Sequence, residues 1–205
     1  MLVIIDYGLG NLGSIKNMLH KIGVSAEISG DPAVIVSASK LILPGVGAFD
    51  NGMQNLIDLK LLDVLNKKVL EDKVPVLGIC LGMQLMTKGS EEGLMSGLGW
   101  IDADTKRFKN TIAEKKVHVP HMGWEYVKSH KESLLLKELY DKPRFYFVHS
   151  YFVKANKEED ILFTTDYSGE FVSGFEKSNI LGVQFHPEKS HKYGMKLFKN
   201  FIDNY

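Results

Sequence analysis

The sequence predicts an α/β protein: three layers, α/β/α, around an open, mostly parallel sheet with an added antiparallel segment. Three observations predict it. Strand-like and helix-like runs alternate through the first half, and repeated strand–helix units produce parallel sheets covered by helices. An apolar run ending at Ile79 enters the turn Gly78-Ile79-Cys80-Leu81-Gly82, a sharp passage from strand to helix. The middle of the chain, about 97–153, is richer in aromatics and alternating patterns, which suggests antiparallel strands laid over the parallel core.

The elements follow in order. Residues 2–6 are short and apolar and lack a basic leader, so they read as a strand and not as a signal peptide. Leu12, Ile15, Met18, Leu19 and Ile22 keep helical spacing, and Gly23 ends that helix. Residues 26–28 and 41–43 are short strands, 56–70 one amphipathic helix, and 74–79 a buried strand. Further strands are expected at 145–148, 161–165, 171–175 and 180–185, with a closing helix at 193–202. There is no internal repeat, low-complexity segment or linker, so the 205 residues are expected to form a single domain, 1–205.

Lys+Arg and Asp+Glu both number 25, a balance that gives no support for a nucleic-acid or anionic-membrane partner. The one cysteine excludes an internal disulfide and a multi-cysteine metal site. A free thiol fits a reducing compartment, so a cytoplasmic location is expected. No apolar run has the length of a membrane span.

That cysteine carries the chemistry. The turn is too sharp for a Cβ beside Cys80, hence Gly78 and Gly82, and it aims a strained residue into open space near a helix N-terminus, where thiolate is favoured over thiol. His186, at the end of the 180–185 strand, is the expected base. Pro187 fixes the turn after it, and Glu188 is placed to hold the imidazole in one tautomer. Nucleophile, base and orienter make a triad. A rival reading comes from Gly8-Leu9-Gly10-Asn11-Leu12-Gly13, a formal G-x-G-x-x-G followed by Asp31, which would suit an NAD-binding oxidoreductase. A glycine turn feeding the first helix accounts for the same residues. His121 and His149 read as structural histidines. His118 and His121 are poor metal ligands, because Pro120 separates them and no carboxylate is near in sequence; no metal and no cofactor is expected.

The elbow Gly-Ile-Cys-Leu-Gly-x-Gln and the segment Gln-Phe-His-Pro-Glu resemble those of the class I (triad-type) glutamine amidotransferases, and the likeness spans nearly the whole chain. It implies glutamine hydrolysis through a Cys80 thioester. It also implies an oxyanion hole built from the backbone N–H groups of Leu81 and of Val46, in the loop Pro44-Gly45-Val46-Gly47. Gly47, Gln84, Ser150 and Tyr151 match positions that contact the substrate glutamine.

Within that family, four stretches resemble the branch of glutaminase subunits of imidazole glycerol phosphate synthases: Asp6-Tyr7-Gly8-x-Gly10-Asn11-Leu12-x-Ser14, His121-Met122-Gly123-Trp124, Phe147-Val148-His149-Ser150-Tyr151 and His186-Pro187-Glu188-Lys189-Ser190. The resemblance implies a heterodimer with a (β/α)8-barrel cyclase subunit. Ammonia would pass to the cyclase for the formation of imidazole glycerol phosphate and an aminoimidazole carboxamide ribotide in histidine biosynthesis. Asn11, Trp124, Tyr146 and Lys189 match positions at or near that interface. One residue departs from the pattern: the family usually has Asn after His-Met-Gly-Trp, and here Glu125 stands there. That leaves open a paralogue supplying ammonia for the amidation of surface sugars.

Overall fold

The computed structural model describes every residue except Asn110, Ala113, Glu114, Val117 and Ser168, with the backbone alone at 111–112 and 115–116. In chain order the elements are β1 (Leu2–Ile5), α1 (Leu12–Lys21), β2 (Ala26–Ser29), α2 (Pro32–Val36), β3 (Lys40–Leu43), α3 (Phe49–Asp58), α4 (Leu62–Asn66), β4 (Val76–Ile79) and α5 (Leu81–Leu85). There follow β5 (Ala103–Arg107), β6 (Thr111–Ile112), β7 (Lys115–Lys116), β8 (His121–Tyr126), β9 (Lys128–Ser129) and β10 (Arg144–His149). The last are β11 (Tyr151–Ala155), β12 (Ile161–Asp166), β13 (Glu170–Lys177), β14 (Ile180–Val183) and α6 (His191–Asn204).

The main sheet runs β2-β1-β3-β4-β14-β13-β11-β5, with β12 and then β9 attached at β13. From β2 to β14 every pairing is parallel; from β14 outward every pairing is antiparallel. The β-strand period of two sorts the core onto two faces. Val3, Ile5, Leu41, Leu43 and Val76 pack toward Leu56, Leu61, Leu65 and Val69. Leu2, Ile4, Ile42, Leu77 and Ile79 pack toward Ile15 and Leu19 of α1 and Leu197, Phe198 and Phe201 of α6. These are the expected three layers.

The structure corrects four details. The helix read at 56–70 begins at Phe49 and breaks after Asp58, where Lys60 takes φ +56°. Leu56, Leu61, Leu65 and Val69 are all fully buried, so one apolar stripe continues across the break and its period reads as a single helix. The short α2 has an evident start that the reading passed over: Asp31 accepts a hydrogen bond from Ala33 N–H (2.8 Å) and Pro32 sits at the first helical position. The 180–185 strand stops at Val183. The antiparallel middle is divided: β5 and β11 extend the main sheet at its edge, while β8 and β10 pair with each other in a ribbon outside it.

Two glycines predict opposite responses to the same change. A Cβ on Gly82 would lie 1.8 Å from the Leu43 carbonyl oxygen, whereas a Cβ on Gly13 meets nothing within 4 Å. Gly82→Ala is expected to cost at least the ~1–3 kcal/mol of an overpacked core. Gly13→Ala, inside α1, is expected to stabilise by about 0.5–1 kcal/mol. Urea unfolding of the two variants checks both signs.

Candidate active site

β3, β4 and β14 lie side by side and parallel, so the loops that leave their carboxyl ends converge. β4 delivers Cys80, at φ +53° and ψ −109°, an unfavourable conformation for a residue with a Cβ. Cys80 N–H donates to the Val183 carbonyl at 2.8 Å, tying the elbow to β14. Both elbow glycines are sterically required. A Cβ on Gly78 would lie 2.9 Å from the Met83 backbone nitrogen, and Gly82 is pressed against Leu43. The helix that follows has only five residues, so its dipole lends the sulfur less than a long helix would. The main electrostatic partner of the thiol is the histidine.

His186 follows β14, and its backbone N–H donates to the Tyr146 carbonyl of β10 (2.9 Å). Its Nδ1 is 2.8 Å from Glu188 Oε1, and the two side chains are 2% and 1% exposed. Nδ1–H donates to the carboxylate, which leaves Nε2 as the atom available to a proton from elsewhere; Nε2 is buried with no hydrogen-bond partner. Burial alone would lower the imidazole pKa, but the nearby Cys80 sulfur and the Glu188 carboxylate outweigh it and hold His186 up at about 10. A hydrogen bond from Ser190 Oγ to the His186 carbonyl (2.6 Å) and one from Tyr146 N–H to Ser190 Oγ (3.0 Å) brace this turn. Ser190 lies inside the motif, but its bracing role has no signal in a linear sequence.

The loop after β3 brings Val46 and Gly47 to Cys80 and Leu81. Leu81 N–H donates to the Gly45 carbonyl (3.3 Å). The Val46 N–H belongs to the same trans peptide as that carbonyl and so points the opposite way. The two N–H groups expected to form the oxyanion hole therefore do not converge in this conformation. Just upstream, the buried Tyr7 hydroxyl donates to the Pro44 carbonyl (2.6 Å) and fixes the start of the loop.

A cavity of about 270 Å3 opens on Cys80, lined by Val46, Gly47, Leu81, Gln84, Glu92, Val148, His149, Ser150 and Tyr151. All four expected substrate residues, Gly47, Gln84, Ser150 and Tyr151, line it. Gln84 Nε2 donates to the Tyr151 carbonyl and to Gln184 Oε1, both at 3.1 Å, so its own carbonyl oxygen is the group left for a ligand. Two residues near Cys80 have no role in the sequence reading. Glu92 Oε2 accepts from Phe49 N–H (2.9 Å) and brings a carboxylate to the cavity; in Ser90-Glu91-Glu92-Gly93 it reads as an ordinary polar loop. Gln184 is fully buried, with Nε2 3.7 Å from Cys80 Sγ.

The residues expected at an interface divide. Trp124, 37% exposed, and Tyr146 have ring centroids 6.2 Å apart, and Lys189 Nζ lies 5.8 Å from the Tyr146 ring centroid, so these three form one outer patch. Met122 and Tyr126, 62% and 58% exposed, extend it along β8. Asn11 opens α1, which packs on the Pro187–Lys189 turn. Glu125 lies on the inner side of β8, its Oε1 3.8 Å from the buried His121 Nε2. The glycines at 8–13 have local tasks: Gly8 and Gly10 take φ +83° and +116°, a Cβ on Gly10 would lie 3.2 Å from Pro44, and Asp31 caps α2. Among the described residues, no group of three metal-ligating side chains occurs, and no helix is long and apolar enough to cross a membrane.

Known proteins resemble the chain over nearly its whole length. The family model "Glutamine amidotransferase class-I" matches residues 3–204. The imidazole glycerol phosphate synthase subunit HisH 2 of Methanococcus maripaludis is 58% identical over 98% of both chains. The protein of the same name from Pseudomonas aeruginosa is 48% identical over 99% of both. A solved structure described as a glutamine amidotransferase superposes with a TM-score of 0.75 at 18% identity, covering 98% of this chain and 97% of that one. The chain belongs to the class I glutamine amidotransferase family.

Proposed function

We propose that this chain is the glutaminase subunit of an imidazole glycerol phosphate synthase. One observation carries the reading: a strained, nearly buried Cys80 beside a buried His186–Glu188 pair, in a chain 58% identical to a HisH subunit. Glutamine enters the 270 Å3 cavity, with Glu92 meeting the α-ammonium and the Gln84 carbonyl oxygen accepting from the substrate. Cys80 Sγ, having given its proton to His186 Nε2, attacks the carboxamide carbon. The tetrahedral oxyanion is held by Leu81 N–H and Val46 N–H once the Gly45–Val46 peptide turns over. His186 protonates the leaving amide nitrogen, the C–N bond breaks to release neutral ammonia, and a thioester remains. Water, deprotonated by His186, then releases glutamate and restores the thiol. Glu188 holds the imidazole and stabilises its charged form.

Ammonia passes to a (β/α)8-barrel cyclase subunit docked on the patch of Trp124, Tyr146 and Lys189, with Met122 and Tyr126 extending the contact and Asn11 at its edge. Isolation from bulk water keeps the ammonia unprotonated and nucleophilic. The cyclase joins it to a phosphoribulosyl-formimino substrate in histidine biosynthesis. Glu125, on the inner side of β8 near His121, keeps the surface-sugar alternative in play as a departure from the family pattern, and the acceptor is decided by the experiment below.

The deciding experiment measures glutamate release from glutamine with and without the cognate cyclase and its ligand. Ligand-stimulated release that vanishes in Cys80→Ala is expected; cysteine-dependent release that ignores this ligand would point to a different acceptor, the sugar-amidating paralogue first. Val46→Pro deletes one oxyanion donor and is expected to cut the stimulated rate by about 10²–10³; an unchanged rate would overturn the peptide-flip step. Glu188→Gln removes the charge that helps keep His186 protonated, and is expected to move its pKa down from about 10, read by NMR titration of labelled histidine. Trp124→Ala is expected to weaken cyclase binding by about 2 kcal/mol or more, as for a buried aromatic anchor, measured by calorimetry.

A further inference from the structure

At the wall of the substrate cavity, His149 begins a polar pair with His121 that the mechanism above does not use. His149 Nδ1 is 2.7 Å from the Tyr151 carbonyl, the same oxygen that accepts from Gln84 Nε2 at 3.1 Å. His149 Nε2 is 3.0 Å from His121 Nδ1. His121 is fully buried and His149 is 6% exposed. Aromatic rings enclose them: Tyr167 stacks on His121 with centroids 3.8 Å apart, and Phe108 and Phe171 pack against both imidazoles.

A carbonyl only accepts, so His149 Nδ1 must carry the proton it shares with Tyr151. With His149 neutral, its Nε2 is an acceptor, and His121 Nδ1 must then be the donor. That places the acceptor face of His121, Nε2, toward Glu125 Oε1, which at 3.8 Å is beyond hydrogen-bond range. The opposite assignment, His121 donating from Nε2 to Glu125, would force a second proton onto His149. Burial opposes it: desolvation pushes His149 down to about 3 and His121 to about 4. The charged and titratable groups facing the pair are Glu125 on β8, Asp166 at the end of β12, which acts on Glu125, Tyr167 stacked on His121, and His186 beyond β14.

We propose that His121 and His149, locked as neutral Nδ1–H tautomers, are positioning residues for glutamine binding that hold the Tyr151 carbonyl and, through it, the Gln84 side chain. The chain of donors runs one way, from His121 to His149 to the Tyr151 oxygen. Its second lone pair fixes the Gln84 amide, so the Gln84 carbonyl oxygen keeps one direction into the cavity. The pair touches neither the reacting sulfur nor the scissile bond, so its effect falls on substrate affinity. The inference rests on the glutaminase reading.

The test uses the complex with its cyclase and ligand, and measures KM and kcat for glutamine. His149→Leu is expected to raise KM about tenfold with kcat held within about threefold, the size of one lost hydrogen bond to a buried acceptor. His149→Asn, which keeps an N–H near the Nδ1 position, is expected to recover most of that loss. Equal KM for the two variants, or a fall in kcat at unchanged KM, overturns the proposal. A second measurement needs neither a variant nor turnover. Nitrogen-15 spectra of the labelled wild-type chain should show both imidazoles neutral and protonated at Nδ1 between about pH 5 and 9. An Nε2–H form of His149, or ordinary titration of either ring, overturns it as well. Glutamate release that survives Cys80→Ala would sink the glutaminase reading instead, and leaves the tautomer result standing on its own.

Discussion

The site depends on one constraint, the parallel pairing of β3, β4 and β14 in register. Parallel strands end at the same edge. Pro44–Gly47, Cys80 and His186 therefore reach one place from three distant parts of the chain, although 106 residues separate the last two. Close packing then sets the spacing. Gly82 lets α5 approach until its backbone nearly meets the Leu43 carbonyl, which brings Leu81 N–H within 3.3 Å of Gly45. A larger residue at 82 would push the elbow and the oxyanion loop apart together. The ribbon of β8 and β10 depends on the same frame, since Tyr146 receives His186 N–H and Ser190 Oγ receives Tyr146 N–H.

In the proposed mechanism little separates a closed oxyanion hole from an open one. The Gly45 carbonyl is held toward Leu81 N–H by a long hydrogen bond of 3.3 Å. A bond of that kind contributes about 0.5–1.5 kcal/mol net. The Tyr7 hydroxyl fixes Pro44 immediately before the peptide, and Gly47, at φ +121°, gives freedom immediately after it. The pivot is thus confined to one or two residues, and a partner or ligand needs only a small differential affinity to turn it. That confinement suits a subunit whose product is wasted when no acceptor is ready.

How much of this was legible in the sequence follows from the range of each interaction. The elbow could be read because its demands are local: a strained residue with its Cβ in a tight turn requires glycines two positions away on either side. The His186–Glu188 pair was legible for the same reason, being two residues apart around a proline. β1, β3 and β4 were legible because parallel strands buried on both faces are near-continuous apolar runs. The α3–α4 break was not, because Leu56, Leu61, Leu65 and Val69 keep one buried face on both sides of it. Glu92, Gln184 and Ser190 were passed over because their roles come from partners 43, 104 and 44 residues away. The outward Met122 and Tyr126 went unread because exposure on one face of β8 follows from a pairing with β10 that no local pattern specifies.

β8 serves two surfaces at once. Its pleat sends Met122, Trp124 and Tyr126 outward and His121 and Glu125 inward. One face is the proposed docking surface; the other carries the imidazole that begins the donor chain to Tyr151 and Gln84. The strand is paired to β10 along its whole length, so Trp124 and His121 sit on opposite faces of one short ribbon, and two hydrogen bonds lead from His121 to the Tyr151 carbonyl. The proposed covalent steps use Cys80, His186, Glu188 and two backbone donors, all from the loops after β3, β4 and β14. The proposed substrate positioning uses β8 instead, the same strand whose other face carries the proposed docking surface.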